Sequence, residues 1–348
     1  MSVKKELFGK LSNGTEVEIY TLKNINGTTV KVTPYGCRLI TLETADKNGN
    51  FADVILGHRT LQEYTGVNFQ GSFVGRYANR IGGAEFAIDG ETYKLSKNDG
   101  DNSLHGGSYG FHQVIFAVEE ISGGDEPAIT FTHLSSNLNE GYPGNLKVTV
   151  KYTLSKSDEL IMDYSGISDM KTVFNPTNHS FFNLSGNPQR NVFDTELTIN
   201  ASKVTAVSDE LIPTGEYIEI KDTSLDFTVP KKLGKDMFAK DFLIDLCGGF
   251  DHNYCAEGTG NRKIAEAYDN ESGRLMEVFT DLPGVQLYTF NSVSGLVGKD
   301  GLEMKPHTAF CLETQFYPDS PNHPNFPFSY LMPNQVFNSK TIYKFSVK

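Results

Sequence analysis

Apolar and polar residues alternate along most of this sequence, and this period of two constrains the fold more than any other feature. In the segment LKVTVKYTL at 146–154, Leu146, Val148, Val150 and Tyr152 alternate with lysines and threonines. Such alternation is typical of a β-strand with one buried face. The same pattern recurs in the segments TEVEIYTL, TTVKVTPYG, EFAIDGETYKL, TELTINAS, EYIEIKDT, RLMEVFTD, VQLYTFNS and TIYKFSVK.

Turn signals separate these segments, whereas helical patterns are rare and short. The turns include DG at 89–90, NPQRN at 187–191 and DLPG at 281–284. Only the segments 60–66 and 232–240 have a pattern that favours a helix. Many short strands without crossover helices favour antiparallel sheets, so we expect an all-β sandwich or barrel with very little helix.

Length and composition bound the organisation of the chain. No Ser/Gly-rich or Pro-rich linker divides the 348 residues, so we expect one domain over residues 1–348. The net charge of −12 argues against a nucleic-acid partner and against attraction to an anionic membrane. The first residues lack the apolar run of a signal peptide, so a cytoplasmic location is expected. The sequence is compatible with a monomer or a homodimer.

The cysteine pattern favours free thiols. The chain has four cysteines, Cys37, Cys247, Cys255 and Cys311, and none of them forms a C-x-x-C pair. Four cysteines in a chain of this length are too few for a disulfide framework.

Three polar residues in loop-like strings are candidates for acid–base chemistry. His105 lies in NSLHGG, His179 in NPTNHSFFNLSG and Glu313 in CLETQFYP. Imidazoles and carboxylates supply acids and bases near neutral pH, and Asn, Gly, Pro and Ser mark loops that present functional groups. Apolar neighbours should raise the pKa of Glu313. Either histidine could instead be a structural residue bonded to nearby backbone.

Further polar residues suit a hydroxyl-rich ligand. In GRYANRIGG, two arginines flank Asn79, although Arg76 and Arg80 could equally be surface residues at a strand end. In GGFDHNYC, Asp251 and His252 are adjacent on an extended segment, so only one of them should face a pocket.

Gln286 is an isolated polar residue on a strand face that it shares with Tyr288 and Phe290. No HExxH, HxH or Cys–His spacing indicates a metal site, so we expect no metal.

Nine strings, in the same order, closely resemble the aldose 1-epimerase (galactose mutarotase) family over residues 75–327. They are GRYANRI, NSLHGG followed by GF at 110–111, GYPG at 141–144, NPTNHSFFNLSG, LIPTGE at 211–216, DTSLDF at 222–227, GGFDHNYC, LPGVQLYTFN and CLETQFYPDSPNHPNFP.

The resemblance implies a large antiparallel β-sandwich with a cleft, which interconverts the α and β anomers of a free aldohexose such as galactose or glucose. It implies neither a metal nor an organic cofactor. It also implies that Glu313 is the general base, His179 the general acid and His105 an assisting donor at the ring oxygen. The implied contacts to sugar hydroxyls are Asn79, Arg80, Asp251 and Gln286.

The sequence departs from the family pattern after the GF string. Phe116 takes a position where Trp is common, and His112-Gln113 replaces a pair that is often charged. These differences concern loop packing rather than the catalytic groups.

Three other functions remain open at this point. Arg76 and Arg80 are compatible with a phosphosugar mutarotase, which would direct several cations at a phosphate. A second possibility is a sugar-binding or regulatory relative without catalysis. The third is a glycoside hydrolase using Glu313 and Asp251, but this leaves His105 and His179 without a role.

Overall fold

The computed structural model describes residues 3–66 and 69–348, and its regular structure is dominated by antiparallel strands. The predicted all-β architecture with little helix is confirmed. The first sheet follows the chain in simple up-and-down order and contains β1 (Lys4–Lys10), β2 (Glu16–Lys23), β3 (Thr29–Thr33), β4 (Arg38–Ala45) and β5 (Phe51–Asp53).

Short ladders follow this first sheet. Their strands are β6 (Phe73–Val74), β7 (Arg80–Ile81), β8 (Glu85–Ile88), β9 (Glu91–Lys94) and β10 (Ser103–Leu104). Strand β7 pairs with β10, and β8 pairs with β9 across the predicted turn at 89–90. Asp89 and Gly90 both have positive φ, of 53° and 86°, as a two-residue hairpin turn of this type requires.

The remaining strands form two larger sheets and one further short pair. They are β11 (Ala117–Ser122), β12 (Ala128–Ser135), β13 (Leu146–Leu154), β14 (Glu159–Ser168), β15 (Thr177–Asn178), β16 (Glu196–Ile199), β17 (Ala201–Val207), β18 (Pro213–Glu219), β19 (Lys231–Lys232), β20 (Asp251–Ala256), β21 (Arg262–Tyr268), β22 (Arg274–Thr280), β23 (Gly284–Tyr288), β24 (Cys311–Gln315) and β25 (Val336–Val347). A nine-stranded sheet has the order β11-β12-β13-β14-β25-β22-β21-β16-β19, and a five-stranded sheet has the order β18-β17-β20-β23-β24. Strand β15 pairs with β6.

The inward faces of the sheets share one apolar core, as expected for a sandwich. Val30 of the first sheet, Val150 of the nine-stranded sheet and Leu287 of the five-stranded sheet belong to the same buried cluster. Along β13 the buried and more exposed positions alternate as the sequence pattern predicts. Each fully buried side chain of this size contributes roughly 1.5–3 kcal/mol through removal of apolar surface from water.

Two buried tyrosine hydroxyls connect the sheets by hydrogen bonds. Tyr152 donates to the Cys37 carbonyl at 2.6 Å, and Tyr343 donates to the Leu312 carbonyl at 3.0 Å. The second bond holds β24 against the nine-stranded sheet, one residue before the candidate base Glu313.

The alternation in TELTINAS at 195–202 predicts a single strand, but the structure has two strands there. The break falls at Asn200, where the chain leaves β16 of the nine-stranded sheet and enters β17 of the five-stranded sheet. Three adjacent strands of that five-stranded sheet, β20, β23 and β24, contain the candidate residues Asp251, Gln286 and Glu313.

The prediction of a helix at 232–240 is wrong. This segment contains only a 3₁₀ turn at Leu233–Lys235, and the α-helix α1 lies further on, at Phe242–Cys247. The side chain of Asp241 caps α1 by accepting from the Leu243 N–H at 3.0 Å, and Gly248 ends it with φ of 65°. Asp before and Gly after an apolar run is a recognisable helix signal, so the sequence did contain the true boundaries.

The other predicted helix, at 60–66, is present as a 3₁₀ helix at Leu61–Tyr64. Further 3₁₀ helices lie at Gly82–Ala84, Phe111–Gln113, Asn139–Gly141 and Ser320–Asn322. In the part of the chain that the structure describes, no helix has the length and apolar character needed to cross a membrane. All four cysteines are free, as predicted, with Cys247 the least buried.

Candidate active site

Neighbouring strands bring three of the predicted residues together. Gln286 on β23 is paired with Glu313 on β24, and Asp251 begins β20 on the other side of β23. The Gln286 amide donates to Asp251 Oδ1 at 2.6 Å. His252 is buried and does not line the cavity described below, so only Asp251 of this adjacent pair faces it, as predicted.

The short ladders supply the histidines opposite this sheet. His179 directly follows β15, and His105 directly follows β10 with φ of 52°. A pair of bonds locks His105 to Asn79, since the His105 N–H donates to the Asn79 carbonyl and the Asn79 N–H donates to His105 Nδ1 at 3.1 Å. Behind His105, a Cβ atom on Gly106 would lie 1.9 Å from the Gly75 carbonyl oxygen. Any side chain at position 106 would therefore collide with the backbone, so this turn requires glycine.

The three candidate acid–base groups form one compact cluster. His179 Nε2 lies 3.6 Å from Glu313 Oε1. One side-chain nitrogen or oxygen atom from each of His105, His179 and Glu313 lies within 4.8 Å of the other two. The two imidazole rings meet edge to face with centroids 5.1 Å apart. All three side chains are at least nine-tenths buried.

Two phenylalanines, Phe69 and Phe181, stack against His179, and no sequence motif marks them as site residues. The Phe69 and Phe181 rings lie nearly parallel to the imidazole, with centroids at 5.9 and 4.9 Å. Cys311 Sγ lies 3.6 Å from His179 Nδ1. Phe181 is two residues after His179, a spacing that places both on one face of an extended segment, but no comparable signal marks Phe69.

These residues surround a cavity of about 400 Å³. Its polar residues include Asn79, Arg80, His105, His179, Asp251 and Glu313, which are six of the seven predicted site residues. Gln286, the seventh, is buried and joins the group through its bond to Asp251. The apolar residues of the wall include Leu104, Phe181, Leu211, Leu246, Tyr288, Phe290, Val293 and Leu296. Converging polar groups within apolar walls suit a small molecule that has many hydroxyls and apolar C–H faces.

Arg76 does not take part in this site, contrary to one interpretation of the GRYANRI string. Its guanidinium is buried and donates to the carbonyls of Ser135, Ser136 and Pro143 at 2.8–2.9 Å. Arg76 therefore holds loops in place, whereas Arg80 lines the cavity.

Comparison with known proteins identifies the family. The family profile described as aldose 1-epimerase matches residues 18–344. The chain is 41% identical to the galactose mutarotase of Bos taurus, with 100% of this chain and 99% of the relative covered. It is 30% identical to the aldose 1-epimerase of Escherichia coli (strain K12), with 96% of each chain covered. The chain belongs to the aldose 1-epimerase family.

Solved structures agree with this assignment, which makes the chain an isomerase. The galactose 1-epimerase from Lactobacillus acidophilus NCFM superposes with a TM-score of 0.87 at 27% identity, covering 99% of this chain and 98% of that chain. An aldose epimerase homologue from C. elegans gives a TM-score of 0.86 at 28% identity, covering 94% of this chain and 98% of that chain.

Phe116, the departure from the family pattern in the sequence of this aldose 1-epimerase family member, packs among other rings. Phe116 is buried and meets Phe73 edge to face, with ring centroids 6.0 Å apart. Its ring also lies 5.2 Å from that of His133.

Burial determines the protonation of the acid–base cluster. It raises the pKa of Glu313 well above its ordinary value; nearby Asp251 raises it further, and Arg80 lowers it. Burial lowers the pKa of His179 to about 3 and that of His105 well below its ordinary value. Both imidazoles are therefore neutral near pH 7, and a charge on Glu313 is costly.

The hydrogen bonds of His105 and Glu313 show which atoms are left for a ligand. Because His105 Nδ1 accepts from the Asn79 N–H, the proton of the neutral ring is on Nε2, which is thus a donor. Glu313 Oε2 is buried and has no hydrogen-bond partner among the described residues. A bound hydroxyl would satisfy it.

The cluster also has the composition of a metal site, namely two imidazoles and one carboxylate. Its close spacing could not be read from the sequence, because the three residues come from distant strings. The expected absence of a metal thus stays a prediction.

We predict that Glu313 destabilises the folded protein at neutral pH and above. Its pKa is raised on folding, so the native state binds its proton more tightly than the unfolded chain, and stability falls as pH rises above the unfolded-state pKa of about 4.3. Glu313→Gln should therefore unfold at higher urea concentration than the wild type at about pH 8, and this difference should shrink towards about pH 4. A difference that is independent of pH would contradict the prediction. Glu271→Gln, which changes an exposed carboxylate, is the control.

Proposed function

We propose that this chain interconverts the α and β anomers of free aldohexoses such as galactose and glucose, and that Glu313 and His179 transfer the protons. The observation that best supports this mechanism is the 3.6 Å separation of Glu313 Oε1 and His179 Nε2 on the wall of a cavity large enough for a hexose. The full-length similarity to galactose mutarotases supports the same reaction.

Exchange of anomers requires two coupled proton transfers. The C1 hydroxyl loses a proton while the ring oxygen gains one, so that the ring C–O bond breaks and an open-chain aldehyde forms. Rotation about the C1–C2 bond then presents the other face of the aldehyde, and the reverse transfers close the ring. Each catalytic group thus serves once as a base and once as an acid.

In this proposal Glu313 is the base for ring opening. The C1 hydroxyl of the sugar provides the hydrogen-bond partner that Oε2 otherwise lacks. A carboxylate with a raised pKa is a stronger base than an ordinary glutamate, and the positive charge of Arg80 favours its ionised form. In the reactive form, the proton of this coupled pair is on His179 while Glu313 is ionised. His179 delivers that proton to the ring oxygen as Glu313 takes one from the C1 hydroxyl, and the Nε2–H of His105 donates a hydrogen bond to the ring oxygen.

The remaining residues hold the sugar so that C1 stays free to rotate. Arg80 and Asp251 form charge-assisted hydrogen bonds with hydroxyls, which are about twice as strong as bonds between neutral groups. Asn79 Oδ1 accepts from the Arg80 N–H, which leaves the amide NH₂ of Asn79 as a donor. Gln286, proposed from the sequence as a sugar contact, orients the Asp251 carboxylate through its bond to Oδ1.

The charges in the cavity support a neutral sugar rather than a phosphosugar. A phosphate would need several cations, but Arg76 is committed to backbone carbonyls and Arg80 is accompanied by two carboxylates, Asp251 and Glu313. The complete acid–base cluster argues against a relative that only binds sugar.

We predict that Glu313→Gln abolishes most of the catalysis. Glutamine has the same shape but cannot accept a proton, and loss of a general base lowers the rate roughly 10²–10⁴-fold. The decay of optical rotation of fresh α-D-galactose and α-D-glucose measures the rate. Glu271→Gln should retain full activity. If Glu313→Gln keeps a rate within about threefold of the wild type, general-base catalysis by Glu313 is wrong.

The two histidines should differ in the severity of their loss. His179→Asn removes the group that transfers a proton and should lower the rate about as much as loss of the base, roughly 10²–10⁴-fold. His105→Asn removes only a hydrogen bond to the ring oxygen, so its effect should be smaller. His133→Asn, which lies outside the cavity, is the control. Near-native rates in both cavity variants would place the acid elsewhere, with Tyr288 as the next candidate.

Catalysis should not depend on a metal ion. The proposed steps are proton transfers, and each has a protein group to perform it. Exhaustive chelation, with removal of metal verified by elemental analysis, should leave the rate measured by polarimetry unchanged. Activity that is lost on chelation and restored by a divalent ion would instead make His105, His179 and Glu313 metal ligands.

A further inference from the structure

Asp99, a carboxylate outside the predicted site, is paired with Arg80, the arginine of that site. Asp99 Oδ2 accepts from Arg80 Nε at 2.8 Å, and Asp99 itself does not line the cavity. The Asp99 side chain is about one-third exposed, whereas that of Arg80 is largely buried. Two backbone bonds between Asp99 and Asn102 fix the turn that holds this carboxylate.

The charge of Asp99 acts on the cavity. Among the described residues of the cavity wall, Arg80 is the one cation, and it faces the carboxylates Asp251 and Glu313. Burial raises the pKa of Asp251, and Asp99, paired with Arg80, raises it further. A further carboxylate, Glu210, accepts from the Asn102 amide and precedes Leu211, which belongs to the wall. The carboxylates on and next to this wall thus outnumber its one described cation.

We propose that Asp99 determines specificity by making the site reject anionic sugars such as hexuronates and sugar phosphates. This inference rests on the proposed function. An unaccompanied arginine would bind a carboxylate or phosphate on the substrate through its two-pronged donor edge. Asp99 offsets that charge from behind but occupies only Nε, so the terminal nitrogens can still donate to neutral hydroxyls.

Asp99→Asn tests this role because it removes the charge and keeps an oxygen that can accept from Arg80 Nε. The measurement is kcat/KM for D-galactose and for D-galacturonate, both followed by optical rotation. The wild type should strongly prefer galactose. In Asp99→Asn the ratio of galacturonate to galactose turnover should rise by about fivefold or more, as expected for loss of one charge near a partly solvated site.

A matched control lies two residues away. Asp101 is highly exposed, pairs with Lys97 and has the same charge, so Asp101→Asn should leave the ratio unchanged. In the wild-type protein, added salt should also raise relative galacturonate turnover by screening the repulsion. This second measurement needs no variant and is informative even if Asp99→Asn folds poorly.

The outcomes separate the two claims. No acceleration of galactose mutarotation by the wild type would overturn the proposed function. Two results would overturn only the role of Asp99, provided that galactose turnover is normal. The first is an unchanged ratio of galacturonate to galactose turnover in Asp99→Asn, and the second is an equal rise of this ratio in Asp101→Asn. A wild-type ratio that does not respond to salt would also contradict it.

Discussion

The contact between Glu313 and His179, 3.6 Å apart and almost wholly buried, sets the requirements for the rest of the structure. A carboxylate in such a place loses hydration, and its destabilising effect must be offset by the apolar core that the sheets share. The same burial makes Glu313 a stronger base and keeps His179 neutral. Stability and reactivity are therefore opposed at this position, as is common where a functional group is held out of water.

Two kinds of backbone hold the site in place. Asp251, Gln286 and Glu313 lie on adjacent strands whose register fixes their spacing. His105 and Asn79 instead lie in turns, both with positive φ, and each bonds the other. Non-glycine residues in this conformation are strained, so the surrounding structure must stabilise it. The strands thus provide rigidity, and the turns bring distant parts of the chain across the cavity.

The sequence predicts the strands well because alternation follows directly from burial on one face of a sheet. It fails where a strand changes sheets at Asn200, since alternation continues across the break. It also misplaces the helix at 232–240, where the capping residues Asp241 and Gly248 were a better guide than periodicity. Alternation describes one strand at a time and contains no information on which sheet the strand joins.

Different limits apply to the candidate site. The structure places His105, His179 and Glu313 in one cluster, but their spacing depends on long-range packing that local patterns do not encode. Arg76 and Arg80 look alike in the sequence, and only their surroundings show that one is structural. Phe69 and Asp99 have no local signal, because each contacts a site residue that is distant in the chain. The assignment of catalytic and sugar-binding roles stays a prediction until the variants are measured.

The rings of Phe69 and Phe181, both nearly parallel to that of His179, have a consequence for selectivity. An imidazole packed in this way has little freedom to turn, so in the proposed reaction the protein groups stay in place while the C1 end of the sugar rotates. A site of this kind has to tolerate either configuration at C1. In the proposed reaction, discrimination among sugars then comes from contacts to the hydroxyls away from C1.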